Sequence, residues 1–430
     1  MSKPRPAKKR VLIVSNNVLS TQNNNGKTLL SIFKSVPKEC VAQLYFSSEV
    51  PEKGLASSYY RISDSDVLKS ILSRPSSRRA GGEALLRTSD FEGVPYSKPI
   101  VDMRSIRDFE VSRIVRELVW KLANWKHVGL VEWVTMFNPD VVFFCAGDSV
   151  FAYRVYDIIS SLTPSSIRVV YVTDDYVLPR RRISPFWWFR RHIVYSNMKK
   201  AVVSSDVFVT ISKEMRNEYK KRFGKDSINI FNAPKDLKVR SFKKTPRKDY
   251  IMVYAGGLHF ERWKTLHELA LAIKKFNEKN GRSVVLKVFS HQSLDKKIVN
   301  SLNVSGSAEF CGPLDVDGVK FQLNDADILV HVESFNRKCI ESTRLSISTK
   351  IGEYLSVGSP ILAIGPQRVA SMKFLKDTAC CITSRKSYDS ALYNILAENC
   401  TENDQINHNP VFEDNVQLFE DLVLFDATVS

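Results

Sequence analysis

The sequence predicts an α/β fold in which short apolar strands lie in a parallel sheet, with enough chain for two domains. Three observations predict it. Residues 250–258 form an apolar strand that ends in Gly256-Gly257 and leads into a helix. Residues 325–333 hold a short apolar run of the kind found in strands buried on both faces. Residues 346–365 read as a helix start, one short helix, a Gly-Ser-Pro break and a buried strand. At 430 residues the chain can hold two domains of about 200 residues, each with its own core.

Each element carries chemistry as well as shape. Gly256 and Gly257 let the backbone turn tightly and approach a ligand at the carboxyl end of a sheet. Arg262 and Lys264 follow, and then Leu266, Leu269, Ala270 and Ile273 share one face of a helix. In residues 346–365, Ser348 or Thr349 can cap the helix through a side-chain oxygen. Lys350 adds positive charge where the helix dipole is already positive, a combination suited to a phosphate or diphosphate. Glu353 lies one turn further in, about 5 Å along the axis, where a carboxylate can accept bonds from sugar hydroxyls. The same local pattern fits an ordinary helix with Lys350 and Glu353 solvated. The company favours a ligand site: two cations follow the glycine turn, and a helix start faces the same sheet edge.

This order resembles the carboxyl-terminal half of GT-B glycosyltransferases, specifically the retaining family 4 enzymes. The elements that carry the resemblance are Gly256-Gly257, Arg262, Ala326-Asp327 and the run Lys350-Ile-Gly-Glu353-Tyr-Leu-Ser-Val-Gly358-Ser-Pro360. Residues 9–16, 138–144 and 168–174 look like strands of such an enzyme's first domain. Residues 205–215 and 228–234 look like the passage that ends it. The resemblance implies two Rossmann-like, doubly wound domains facing a central cleft. They would be an acceptor-binding domain at 1–245 and a donor-binding domain at 246–400. An acidic segment, 401–430, would form a last helix that crosses back to the first domain. In residues 412–424, Phe412, Val416, Phe419 and Val423 fall on one side of a helix.

One position departs from the family. Most members carry two glutamates separated by seven residues, and the place of the first is taken here by Leu345. Glu333 and Glu341 lie nearby at the wrong spacing. The chain resembles a branch that works with the Lys-x-x-Glu half alone; a degenerate, inactive copy is the other reading.

Composition fits a reduced setting. Seven cysteines, an odd number, show no zinc spacing and suggest free thiols in the cytoplasm. No apolar stretch approaches a membrane span, and the basic start lacks the core of a secretion signal. The net charge of +17 is concentrated between Arg180 and Lys248, whereas no Lys or Arg follows Lys386. Within that stretch, Trp187 and Trp188, flanked by phenylalanines and bracketed by arginines such as Arg190 and Arg191, suit an anionic membrane surface. The plainer reading sends two of the aromatics into the core. No nucleic-acid module accompanies the charge, so no nucleic-acid partner is expected.

Two further motifs are acceptor-side candidates. Asn25, Gly26, Lys27 and Thr28 end like a P-loop, but Thr21 stands where that loop needs its first glycine. They read better as a glycine-bearing turn after the first strand, contacting acceptor or phosphate. Asp174 and Asp175 at a strand end could orient an acceptor hydroxyl, or be purely structural. The resemblance implies no bound metal and no cofactor besides the nucleotide-sugar substrate. It implies Arg262, Lys350 and Glu353 as catalytic residues, with Gly256, Gly257, Ser348, Thr349 and, as second choice, Lys264 on the donor. The expected activity is retaining transfer of a sugar to a saccharide or lipid-linked acceptor, in surface polysaccharide or glycolipid synthesis. The expected place is the cytoplasm, peripheral on the inner face of the membrane. A nucleotide-sugar epimerase or phosphorylase and a non-catalytic partner protein are the alternatives on the same fold.

Overall fold

The computed structural model describes residues 8–21, 24–33, 36–52, 54–72, 110–231, 249–376, 380–396 and 418–424. By contacts the chain divides into two units, residues 1–230 with 411–430 and residues 231–410. The expected boundaries at 245 and 400 lie outside the described residues.

The first unit runs β1 (Val11–Ser15), α1 (Asn24–Ile32), β2 (Val41–Tyr45), β3 (Ser58–Arg61), α2 (Asp64–Leu72), α3 (Glu110–Leu122), α4 (Val128–Phe137) and β4 (Val141–Ala146). It continues with α5 (Val150–Leu162), β5 (Ile167–Val172), α6 (Pro185–Ser204), β6 (Val207–Thr210), α7 (Lys213–Phe223) and β7 (Ile228–Asn229). The second runs β8 (Asp249–Ala255), α8 (Arg262–Asn280), β9 (Ser283–Phe289), α9 (Lys296–Leu302), β10 (Ala308–Gly312), α10 (Val316–Asp325) and β11 (Ile328–Val332). Then come α11 (Arg337–Thr343), α12 (Thr349–Val357), β12 (Ile361–Ile364), α13 (Ala370–Leu375), β13 (Cys380–Ile382) and α14 (Tyr388–Leu396).

Both sheets are parallel and doubly wound. Their strand orders are β3-β2-β1-β4-β5-β6-β7 and β10-β9-β8-β11-β12-β13. The order reverses between β1 and β4 in one unit and between β8 and β11 in the other, and ligands of such sheets bind at the carboxyl ends beside that reversal. The central strands are almost wholly buried, as expected of apolar runs covered on both faces.

A repeated aspartate fixes the register of neighbouring strands. Asp327 accepts from Ile251 N–H (2.8 Å) while its own N–H donates to Ile251 O (3.0 Å). Asp140 does the same with Arg10 (2.7 and 2.9 Å), and Asp206 with Arg168 (2.7 and 2.8 Å). Each aspartate stands just before a strand and ties it to its neighbour through one side-chain and one backbone bond. The Asp of the Ala326-Asp327 pair therefore has a structural role.

Helix α8 buries the face formed by Leu266, Leu269, Ala270 and Ile273 against Met252, Tyr254, Leu286, Ile328 and Val330. Each of these leucine and isoleucine side chains contributes about 1.5–3 kcal/mol on burial. In the first unit, Phe419, Val423 and Leu424 join a core with Val11, Ile13 and Phe143. The Phe419 ring meets Phe143 edge-on at 6.2 Å, and Lys9 N–H donates to Leu424 O. The tail thus returns to the first unit, ending in a wide π-helical turn, Glu420–Leu424. Phe412 and Val416 lie outside the described residues.

Candidate active site

The second unit gathers its charged side chains at the reversal point. Strand β8 ends at Ala255, whose N–H donates to the Tyr354 hydroxyl (3.2 Å) and so ties α12 to the strand end. Gly256 follows because nothing larger fits. A Cβ there would stand 1.3 Å from Lys350 Nζ and 1.8 Å from its Cε. Lys350 thus lies across the glycine backbone, donates to the Tyr254 hydroxyl at 3.1 Å and sits 4.4 Å from the centre of that ring. Burial and the nearby Arg262 charge lower the Lys350 pKa to about 7 against the opposing pull of Glu333 and Glu353. At neutral pH this lysine is poised between charged and neutral.

Arg262 enters from the turn after the glycines. Phe260 and Glu261 both hold left-handed backbone (φ 58° and 57°), which costs non-glycine residues about 1–2 kcal/mol each. Local strain of this size is typical of turns that aim a functional side chain. Arg262 is buried, and its Nη2 donates to both oxygens of Glu333 (3.2 and 3.1 Å). Nη1 faces His259 Nε2 at 3.3 Å, and the buried Nε has no hydrogen-bond partner. Glu333 lies just past β11, and His331 Nε2 approaches it to 3.5 Å. Burial alone would raise the Glu333 carboxyl, but Arg262 and His331 hold it down at about 2. Burial, reinforced by Arg262 and Lys350, lowers the His259 imidazole to about 4, so it is neutral at pH 7.

The sequence anticipated Gly256, Arg262 and Lys350 together, and the fold brings them together. It missed Glu333, set aside for its spacing, along with Tyr254, His259 and His331. The readable signal was position, since Glu333 ends a strand that lines the reversal point. Leu345, at the place where the resemblance expects a glutamate, is a buried apolar packing residue. Ser348 does occupy the N-cap of α12, but its side chain makes no capping bond. That corrects the expected side-chain cap. Thr349 opens the helix and Glu353 stands half-buried one turn on. Gly257 carries the carbonyl that accepts from the Tyr254 hydroxyl at 2.7 Å. Lys264 is not part of the cluster: it is half-exposed and pairs with Glu261 at 2.9 Å.

In the first unit, Gly26, Lys27 and Thr28 belong to the first turn of α1 rather than to an open turn. A Cβ on Gly26 would lie 2.7 Å from Val18 O, so the glycine lets α1 pack on the loop after β1. The side chain of Asn25 lies outside the described residues. Asp175 is buried, and its Oδ1 accepts from Val177 and Leu178 N–H (3.1 and 2.8 Å). Its carboxylate closes a turn. Asp174 is half-exposed and accepts from the Tyr176 hydroxyl at 3.5 Å.

The expected membrane residues divide. Trp188 is exposed and Trp187 half-buried at the start of α6, where Ser184 caps and Pro185 takes the first helical position. Arg190 is buried, and its Nη2 donates to the carboxylate (2.9 Å) and the carbonyl (2.6 Å) of Asp148, a carboxylate it shares with Arg113. Arg191 lies over both tryptophan rings and donates to Leu178 O. Arg190 is therefore a core cation, correcting its expected surface role.

Among the described residues no group of His, Cys, Asp or Glu is placed to hold a metal ion, and no helix is long and apolar enough to cross a membrane. No family model and no curated protein matches the chain. Solved structures do match it. An α,α-trehalose 6-phosphate synthase from Burkholderia multivorans is 10% identical, with a TM-score of 0.54 over 96% of this chain and 93% of its own. A UDP-forming α,α-trehalose-phosphate synthase from Burkholderia xenovorans gives 10% and 0.54 over 96% and 97%. A trehalose-6-phosphate structure from E. coli with UDP-2-fluoro glucose bound gives 11% and 0.52 over 95% of both chains. At these identities the likeness establishes the fold. It spans both units, and the chain has the GT-B architecture of two parallel-sheet α/β domains.

Proposed function

We propose that this chain is a retaining glycosyltransferase that moves a sugar from a nucleotide-diphosphate donor to a hydroxyl of a saccharide or lipid-linked acceptor. One observation carries the reading: Lys350 lies across the Gly256 backbone at the carboxyl edge of the β8–β11 reversal, where burial and the nearby Arg262 cation lower its pKa. The buried, unpartnered Nε of Arg262 supports it, since a buried donor gains most from an anion that reaches it. A UDP-sugar analogue in a structure of the same fold is consistent with it.

The diphosphate lies against Lys350, Arg262, the glycine turn and the first amides of α12, and Glu353 takes the ribose hydroxyls. As the glycosidic bond breaks, the electron pair goes to the leaving diphosphate oxygen. Donors already fixed by Glu333 and Tyr254 stabilise that charge without reorganising. Two protein cations supply the neutralisation that a metal would otherwise give. Front-face attack by the acceptor hydroxyl, whose proton passes to the departing diphosphate oxygen on the same face, needs no protein nucleophile, which suits Leu345 in place of a glutamate.

The test is donor turnover with a panel of nucleotide sugars and crude glycan or glycolipid acceptors, read as nucleoside diphosphate release and product mass. Release that requires both donor and acceptor, survives EDTA and disappears in Lys350→Ala supports the reading. Absence of release from every donor contradicts it.

A further inference from the structure

Helix α3 is built inside out. Arg113, Arg116, Glu117 and Trp120 share its inward face. Arg113 reaches Asp148 (2.7 Å), Arg116 and Trp120 reach Asp64 (2.8 and 2.7 Å), and Glu117 caps the start of α5 through Val150 and Phe151 N–H (2.7 and 2.8 Å). The opposite face carries Val111, Val115, Leu118 and Leu122, spaced as one helical stripe, and each is more than half exposed. A surface helix ordinarily shows the reverse arrangement.

The neighbours extend this face. Helix α2 packs on α3 and exposes Leu68 and Leu72, the latter at 85%. Helix α6 also packs on α3, and Arg190 of α6 and Arg113 of α3 share the Asp148 carboxylate. Where α6 begins, Phe186, Trp188 and Phe189 are exposed, and Ile183 just before it is wholly so. The carboxylates described on α2 and α3 are engaged: Asp64 and Glu117 as above, and Asp66 with Ser63. Helix α6 has no acidic residue. Among the described residues, the exposed charges beside the apolar side chains are Lys69, Lys121, Arg181 and Arg182, all cationic.

We infer that this face of the first unit, formed by α2, α3 and the start of α6, docks on an anionic lipid bilayer. Aliphatic and aromatic side chains ringed by cations match the boundary between acyl chains and anionic headgroups. A second copy is a poorer occupant, because a two-fold contact through this face would set its cations against one another. The inference does not depend on the glycosyl-transfer reading.

Full-length protein would be sedimented with vesicles of phosphatidylcholine alone and of phosphatidylcholine mixed with phosphatidylglycerol. Binding is expected on the mixed vesicles only, weakened by salt. The double changes Leu118→Glu with Leu122→Glu, and Arg181→Glu with Arg182→Glu, should each reduce it about tenfold or more. Circular dichroism and melting should not change, because the four side chains are exposed. Equal binding to both vesicles, binding to neither, or variants that bind like the wild type would overturn the inference. So would a concentration-dependent dimer that the Leu118→Glu, Leu122→Glu variant abolishes.

Discussion

Replacing Glu333 by glutamine removes the charge that Arg262 faces while preserving the side chain's size. The guanidinium is 9% exposed, keeps its proton at any accessible pH and has its Nη2 within 3.2 Å of both carboxylate oxygens. Stranding a buried charge in this way costs about 3–5 kcal/mol. The Glu333 carboxyl gives a second figure. Its fall from 4.5 to about 2 corresponds to about 3 kcal/mol. The folded-state pKa lies below the unfolded one, so this stabilisation is fully present above pH 4.5. It is lost as pH falls toward about 2 and the carboxylate takes up a proton. The assay is thermal unfolding of wild type and Glu333→Gln across pH. For a unit of this size 3 kcal/mol corresponds to about 6–12 °C. The variant should melt lower by about that amount at pH 7, and the gap should narrow between pH 4.5 and pH 3. A drop under about 2 °C, or a gap that stays constant in acid, would refute the account of a buried, ionised pair.

Three further outcomes follow from the same cluster and its frame. Lys350 has a folded-state pKa of about 7, below its unfolded 10.5, so its burial costs the free protein stability at neutral pH and less so as pH rises. A bound diphosphate should restore the charge. Nucleoside diphosphate affinity measured by calorimetry should then fall as pH rises from 7 to 9, by up to about tenfold per pH unit, and Lys350→Arg should flatten the profile. Gly256→Ala should weaken diphosphate binding about tenfold or more and also lower the melting temperature, because the added methyl displaces the end of Lys350 and the backbone there (φ 157°) is one that side chains rarely adopt. Asp327→Ala should cost about 1 kcal/mol in chemical denaturation, since Ile251 N–H loses its partly buried acceptor.

Much of the fold was legible because it is local. Apolar runs at residues 250–258 and 325–333 became β8 and β11, and the predicted face of α8 is the buried one. Gly256 and Lys350 were singled out separately from local sequence, and the fold brings them into contact. Glu333 was not, because its partner Arg262 is 71 residues away and only the adjacency of β8 and β11 joins them. A family spacing rule pointed instead to Leu345, which packs in the interior. Arg190 and Asp175 looked like surface and site charges because local sequence does not show the inward partner. Asp148 claims one, and the turn amides of Val177 and Leu178 claim the other. The exposed stripe of α3 was invisible for a related reason: an apolar periodicity marks a face, but not whether that face turns in or out.

The most direct measurement is thermal stability with a panel of nucleoside diphosphates on wild type and Lys350→Ala side by side. The account predicts stabilisation of the wild type by one base in preference to the others. It should amount to about 2.7 kcal/mol at one hundred times the dissociation constant, and be lost in the variant. No shift with any nucleotide, or an equal shift in Lys350→Ala, would contradict the donor site.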